Sequence, residues 1–412
     1  MDTNYIKDVF TSELSKLMGA VKTCFVGTKG QEHAKKYITG LLSPIERKNG
    51  WQMAEARGDK SPYAIQQFIY RGRWNADELM GCCREYVKDE LGDDDATLII
   101  DDTGFIKKGK MSAGVARQYS GTAGKIENCQ IGVFLTYASP KGFVAINRGL
   151  YLPKEWTDDT TRCNRAGIPK DTRFATKPQM ALDMLKLAHE SDMPFSFVTA
   201  DSAYGDCRDI SIWLESIGKG YVMAVSGKAY VWSGFRQHRI SDILKGLFDN
   251  SNSNTYDNDS NNDITNSWHR ISAGAGSKGE REYDWCLLAL NSPQHEGFMR
   301  CLLVRRSVSN PEELQAYVCF CPEDTSYQKL VSIAGIRWQI EQNFEELKGD
   351  VGLDHYEVRS YEGWYKHITL ACIAHALLAV IKATIETDTK FHTAMEIEKT
   401  DSLSAFKKGR NL

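Results

Sequence analysis

Ala96-Thr97-Leu98-Ile99-Ile100-Asp101-Asp102 is the stretch that decides the fold. It is a short apolar run ending in two carboxylates, and it reads as a buried strand with acids at its end. A carboxylate there is costly unless it is paired, hydrogen-bonded or bound to a cation. Successive strand residues face opposite sides of a sheet, so only one of Asp101 and Asp102 can point into a given site. Downstream, Gln130–Ala138 alternates Ile131, Val133, Leu135 and Tyr137 in a second strand, and residues 142–151 form a third. Glycine-rich turns separate them, which predicts an antiparallel meander. Thr176-Lys177-Pro178-Gln179 is a capping box with an early proline, opening a helix over Met180–His189. A further apolar strand, Phe195–Ala200, ends in Asp201. A helix near Arg208–Ser216 and a strand at Tyr221–Val225 complete an α/β unit.

Upstream, residues 1 to about 90 read as several helices. Leu79, Cys83, Val87 and Leu91 recur on one helical stripe, and Gly50, Gly58 and Ser61-Pro62 mark turns. Beyond residue 225 the chain is strand-rich to about residue 322, including Trp285–Leu290 and Arg300–Arg305. Within it, Asp249–Ser267 holds seven Asn, four Asp and four Ser in nineteen positions. So little apolar surface predicts a disordered loop. The last segment is helical, with an apolar run at Ile368–Ile381 interrupted by His375. Fourteen residues is short of the roughly 20 that cross a bilayer, so this run reads as a buried helix. The tail after about Asp388 is polar and expected to fray.

Composition sets the broad class. The chain has 412 residues, 42% hydrophobic and 25% charged, which predicts a soluble protein of two or three domains. No basic-then-apolar signal pattern opens residues 1–30. The net charge of −3 is unlike the basic balance common in nucleic-acid binders, so any such contact must come from local clusters. Lys35–Lys36, Arg47–Lys48, Lys107–Lys108–Lys110 and Arg305–Arg306 are available. Eleven cysteines without a Cys-x-x-Cys pair read as reduced thiols in a cytoplasmic protein.

The helix after Gly335 carries a third acid. At about 100° per residue, Arg337 and Lys348 lie roughly 40° and 20° from Glu341, beside the apolar stripe of Ile340, Phe344 and Leu347. Ordinary surface ion pairing explains such a helix too. A third carboxylate from a separate helix, however, would complete a two-metal site, with Arg337 and Lys348 beside it for DNA phosphates. Lys107, Lys108 and Lys110 in a glycine-flanked loop, and Arg117 with Gln118 and Tyr119, are further candidate phosphate contacts.

These passages carry a resemblance. Ile100-Asp101-Asp102-Thr103-Gly104-Phe105-Ile106-Lys107-Lys108-Gly109, Gly114-Val115-Ala116-Arg117-Gln118-Tyr119-Ser120-Gly121, Asn128-Cys129-Gln130, Leu150-Tyr151-Leu152-Pro153 and Ala200-Asp201-Ser202-Ala203-Tyr204-Gly205 resemble DDE transposases of bacterial insertion sequences. The similarity lies in the insertion-sequence 4-like superfamily, nearest its insertion-sequence 701 branch. The helix matches the family's Tyr-x2-Arg-x3-Glu-x6-Lys signature at Arg337, Glu341 and Lys348, with Ala334 at the Tyr position. Arg47-Lys48-Asn49-Gly50-Trp51 is similar to that branch as well.

The resemblance implies an RNase H-like α/β fold: a mixed sheet flanked by helices, with a β-rich insertion and an N-terminal helical domain. Residues 1–92 would be the helical DNA-binding region and 93–225 the first part of the catalytic domain. The insertion would span 226–322 with its loop at 249–267, the C-terminal helical part 323–388, and the tail 389–412. It implies Asp102, Asp201 and Glu341 as catalytic and metal-binding residues, with Asp101 the rival of Asp102. It implies two Mg²⁺ ions per site, Mn²⁺ as a substitute. The implied DNA contacts are Arg337, Lys348, Lys107, Lys108, Lys110, Arg117, Arg47 and Lys48. The expected partners are double-stranded DNA of terminal inverted repeats and target, held by a homodimer in the bacterial cytoplasm at the nucleoid, without a membrane. Some relatives form a DNA hairpin with a Trp stacked on a base, for which Trp232, Trp268 and Trp285 are available. The alternatives are a non-catalytic DNA-binding derivative and a stand-alone RNase H-like nuclease.

Overall fold

The computed structural model describes residues 3–250, 268–276 and 279–408, with residues 249–250 and 390–408 described by backbone alone. The expected Asn-rich loop at 249–267 therefore lies almost wholly outside the described residues. Five helices open the chain: α1 (Thr3–Val21), α2 (Gly27–Leu41), α3 (Gly50–Ala56), α4 (Tyr63–Tyr70) and α5 (Ala76–Leu91). Asn49 and Asn75 cap α3 and α5 through their side-chain oxygens, satisfying first-turn N–H groups that have no helical partner.

Strands β1 (Thr97–Ile106), β2 (Ala116–Ser120), β3 (Lys125–Ser139) and β4 (Gly142–Leu150) follow. β3 pairs antiparallel with β1 along one edge. On its other edge it pairs with β2 over its first residues and with β4 over the rest. The meander is as the alternation indicated, with β2 as an additional strand. Its five residues expose Arg117 and Tyr119, too short and polar a run to give an apolar pattern. Short helices α6 (Lys154–Thr157) and α7 (Thr160–Ala166) lead to α8 (Lys177–Glu190), which begins with the Thr176–Gln179 capping box in full.

Then come β5 (Phe197–Ala200), α9 (Ser202–Gly205), α10 (Arg208–Ser216) and β6 (Gly220–Val225). β5 lies parallel to β1 and β6 parallel to β5, with Ile100 opposite Ala200 and Ala200 opposite Met223. The carboxyl ends of β5 and β6 therefore share one side of the sheet.

The strand-rich region comprises β7 (Tyr230–Ser233), β8 (Arg236–Arg239), α11 (Ile240–Asn250), β9 (His269–Gly276), β10 (Gly279–Ala289), β11 (Phe298–Ser307) and β12 (Leu314–Pro322). β12 pairs antiparallel with β6. The sheet runs β2-β3-β1-β5-β6-β12-β11-β10-β9, with β4 also on β3. The strand-rich region thus extends the central sheet rather than standing apart. Its alternation covers both faces. Cys301, Leu303 and Tyr317 pack towards the next helix, α12 (Tyr327–Ile336). Leu302, Val304 and Ala316 pack with Val231 and Ile240 around α11.

Two last helices complete the fold, α13 (Trp338–Gly349) and α14 (Tyr361–Lys408). The helix expected after Gly335 is broken at Arg337, which ends α12 and begins α13. α13 docks through Ile340, Asn343, Phe344 and Leu347. Phe344 meets Phe134 edge-on at 5.4 Å, and burying such a ring stabilises by about 1.5–3 kcal/mol. By length and hydropathy Tyr361–Thr389 could cross a membrane. Its apolar residues instead fill the core against α1, α2, α4, α5 and β4. The N-terminal helices and the sheet share that one core. The polar end of α14 keeps helical backbone to Lys408.

Candidate active site

β1 presents its two aspartates to opposite faces. Thr103 shares the Asp101 face, and there the Thr103 hydroxyl accepts a hydrogen bond from Lys348 Nζ at 2.7 Å. Phe134, the antiparallel partner of Asp101, packs on Phe344 of α13 on the same face. Asp101 therefore looks towards the helix that carries Arg337, Glu341 and Lys348. Its carboxylate accepts the Asp102 backbone N–H at 2.7 Å. Burial pushes its pKa up to about 7. The Arg337 guanidinium pulls it down, and the neighbouring Asp201 and Asp102 charges push it up further. Arg337 and Asp201 are thus charges that act on Asp101.

Asp102 faces the other way. Its Oδ2 accepts from Lys177 Nζ and from the Tyr204 hydroxyl, each at 2.8 Å. Lys177 opens α8 and Tyr204 belongs to α9, so this carboxylate ties two helices to β1. Burial and the Asp102 charge hold the Tyr204 hydroxyl well above its ordinary pKa, which keeps it a donor. An aspartate with one cation and one hydroxyl on the same oxygen has its charge satisfied. The resemblance put Asp102 first, and it is Asp101 that lies on the α13 side.

Asp201 caps α9, its Oδ1 accepting from Ala203 N–H at 2.9 Å. It follows Ala200 as Asp101 follows Ile100, so the two acids leave neighbouring parallel strands side by side. Glu341 is solvent-exposed in the first turn of α13, on the flank of Arg337 and Lys348. Among the described residues, no group of three or more His, Cys, Asp or Glu side chains is gathered closely enough to hold a metal. Asp201 leaves its strand beside Asp101, the expected rival of Asp102, and Glu341 is on the facing helix without closing the cluster.

The basic candidates divide. Lys348 Nζ is shared between the Thr103 and Thr122 hydroxyls, at 2.7 and 3.0 Å, and burial lowers its pKa. Arg47, Lys108, Lys110 and Arg117 are exposed. Lys107 is taken up inside: its ammonium sits 3.5 Å over the Tyr356 ring, and burial lowers its pKa to about 8. Lys48 is likewise buried, donating to the Ser43 carbonyl at 2.8 Å. Neither offers a free cation to a phosphate, because each is already satisfied within the fold. Trp285 is fully buried and Trp268 lies under Arg306 at 4.1 Å, whereas Trp232 is exposed.

Thr103, Thr122, Lys177 and Tyr204 were not legible as site residues. Lys177 reads only as the first residue of a capped helix, and Thr122 sits in a short turn with no pattern. All eleven cysteines are free thiols, eight of them buried.

Residues 21–243 match the model described as DDE superfamily endonuclease, and residues 170–377 match Transposase DDE domain. A probable transposase for insertion sequence element IS701 from Microchaete diplosiphon is 27% identical over 223 residues. That alignment covers 53% of this chain and 54% of the relative, so the chain spans about half the length of the curated protein it matches. A match over more than half of its residues, with paired aspartates at adjoining strand ends, shows that the chain belongs to the DDE superfamily of endonucleases.

Proposed function

We propose that this chain is the transposase of an insertion sequence, cutting DNA at the element ends and joining the 3′-hydroxyl to target DNA. Asp101, Asp201 and Glu341 are its catalytic carboxylates. The observation that carries the reading is the shared sheet face. Asp101 and Asp201 leave adjacent parallel strands there, beneath the helix bearing Arg337, Glu341 and Lys348.

The donor set is all oxygen, which suits a hard divalent cation such as Mg²⁺, or Mn²⁺ in its place. The Asp201 charge raises the proton affinity of Asp101, a repulsion that a bound cation would relieve. Asp101, Asp201 and Glu341 would hold two such ions, which when bound supply Lewis-acid activation of the attacking oxygen and neutralise charge at the leaving oxygen. Glu341 joins the two aspartates as the DNA backbone seats against α13. Arg337 then grips a phosphate with its fork, and Lys348 turns from Thr103 and Thr122 to a second phosphate as a point charge. Asp102, anchored by Lys177 and Tyr204, fixes the strand so that Asp101 keeps its aim.

The DNA would be the terminal inverted repeats and then the target, held by two copies of the chain, in the bacterial cytoplasm at the nucleoid. Mg²⁺-dependent nicking of element-end duplex by purified Glu341→Ala tests the assignment. Loss of nicking with duplex binding intact is expected, and undiminished nicking would sink it.

A further inference from the structure

The β7–β8 hairpin is a projecting ribbon that the acidic site does not use. Ser233 pairs with Arg236, so Gly234 and Phe235 alone form its turn. Gly234 has φ 61, as a two-residue turn with glycine first requires. Phe235 at the tip is wholly exposed, at 102%. Ser233, Arg236 and His238 share the face of Val231, and of these Val231 alone is buried, on the α11 core. Tyr230, Trp232, Gln237 and Arg239 line the outer face, and Tyr230 and Trp232 are more than half exposed. From Ser216 to Ser241 there are four Lys or Arg residues and no Asp or Glu, in a chain whose net charge is −3.

The ribbon is firmly seated. Asn291 donates its backbone N–H to the Trp232 carbonyl and its amide to the Gly234 carbonyl, at 3.1 and 2.8 Å. At its base Ser226 N–H donates to Asp206 Oδ1 at 3.0 Å. Asp206 is the residue after the helix that Asp201 caps. The hairpin therefore rises from the carboxyl end of β6, beside the β5 end that holds Asp201. Its core lies with α11 on the sheet face opposite α12, so the ribbon stands at the carboxyl ends of the strands, apart from the acids.

We propose that the hairpin is a second duplex-DNA contact: Arg236 and Arg239 hold phosphates while Phe235 wedges between base pairs and bends the duplex. An isolated, fully exposed aromatic ring is costly in water, and the ribbon Tyr230–Arg239, with two arginines and no acid, matches a polyanion. Apolar wedges flanked by cations unstack a base step and kink DNA in this way. The proposal rests on the DNA-cutting reading for the duplex's presence, not for the hairpin's action.

The test uses the full chain with random-sequence duplex in metal-free buffer. Binding is read by anisotropy against salt, and bending by ligase cyclisation of a fragment shorter than the persistence length of about 150 bp. Phe235→Ser is expected to bind about tenfold more weakly and to lose the acceleration of cyclisation, while Phe235→Leu keeps it. Arg236→Ala with Arg239→Ala is expected to reduce the salt slope by about two. Wild-type cyclisation and affinity in Phe235→Ser would overturn the proposal. So would a change in oligomeric state of that variant with duplex binding unaltered. Mg²⁺-dependent nicking is measured in parallel. Hairpin effects without acid-dependent nicking leave the hairpin standing and fail the transposase reading. Acid-dependent nicking with silent hairpin variants fails the hairpin alone.

Discussion

His367 should make folding stability fall on acidification. The ring projects from α14 and is fully buried; its Nε2–H donates to the Gly352 carbonyl at 3.1 Å and its Nδ1 accepts from the Tyr37 hydroxyl at 2.9 Å. That arrangement uses both nitrogens of a neutral imidazole. Burial is the main cause of a pKa lowered to about 4, with the Lys107 and His355 charges adding to it. Tyr356 packs on the ring at 5.3 Å and offers no countercharge. The folded pKa lies below the unfolded value of about 6.5, so between the two the unfolded chain binds more protons. Stability is complete above about pH 6.5 and is lost as pH falls towards 4. The shift is worth about 3 kcal/mol in full, and about 2 kcal/mol by pH 5. His367→Gln keeps one acceptor and one donor but cannot titrate. Urea unfolding followed by tryptophan fluorescence at pH 7.5, 6.5, 5.5 and 5.0 compares the two. The wild type should lose about 2 kcal/mol relative to the variant across this range. Parallel pH profiles would refute the account of a buried neutral imidazole joining the N-terminal helices to α14.

Other expectations concern the seams around the site. A Cβ at Gly335 would overlap the Ala273 carbonyl oxygen and sit 2.9 Å from the Ala273 Cβ. Gly335→Ala should therefore push β9 off α12, with a cost of about 1–3 kcal/mol in a denaturation curve. Lys177→Met strips the cation from half-buried Asp102, and its melting temperature should fall together with nicking, whereas Lys177→Arg restores much of both. Arg47→Ala should lower the salt slope of duplex binding by about one. Lys48→Met should leave that slope unchanged and reduce stability, since its ammonium serves the Ser43 carbonyl rather than a phosphate.

Much of the fold was legible because its signals are local. The Thr176–Gln179 box, the alternation of Ile131 to Tyr137 and the stripe of Ile340, Phe344 and Leu347 each state their own geometry. Asp201 was legible for the same reason, since it ends an apolar strand. Long-range pairing is not local. Nothing in β12 announces that it docks on β6 and carries the strand-rich region into the central sheet. The choice between Asp101 and Asp102 also depends on which sheet face α13 covers, and alternation gives only that they differ. Lys48 and Lys107 read as free cations because their partners, a backbone carbonyl and the distant Tyr356 ring, leave no mark in the neighbouring sequence. The helix break at Arg337 left none either, because Ile336 and Trp338 continue the helical periodicity on both sides.

The central claim is that the site is built on the Asp101 face of β1. Asp101→Asn and Asp102→Asn, each a change of charge without change of shape, test it in Mg²⁺-dependent nicking of element-end DNA, with thermal stability measured on the same samples. The account predicts that Asp101→Asn abolishes nicking while the fold keeps its stability. It predicts that Asp102→Asn still nicks, at a reduced rate, and melts at lower temperature, having lost its pairing with Lys177. Full nicking by Asp101→Asn, with none by a stably folded Asp102→Asn, would contradict it.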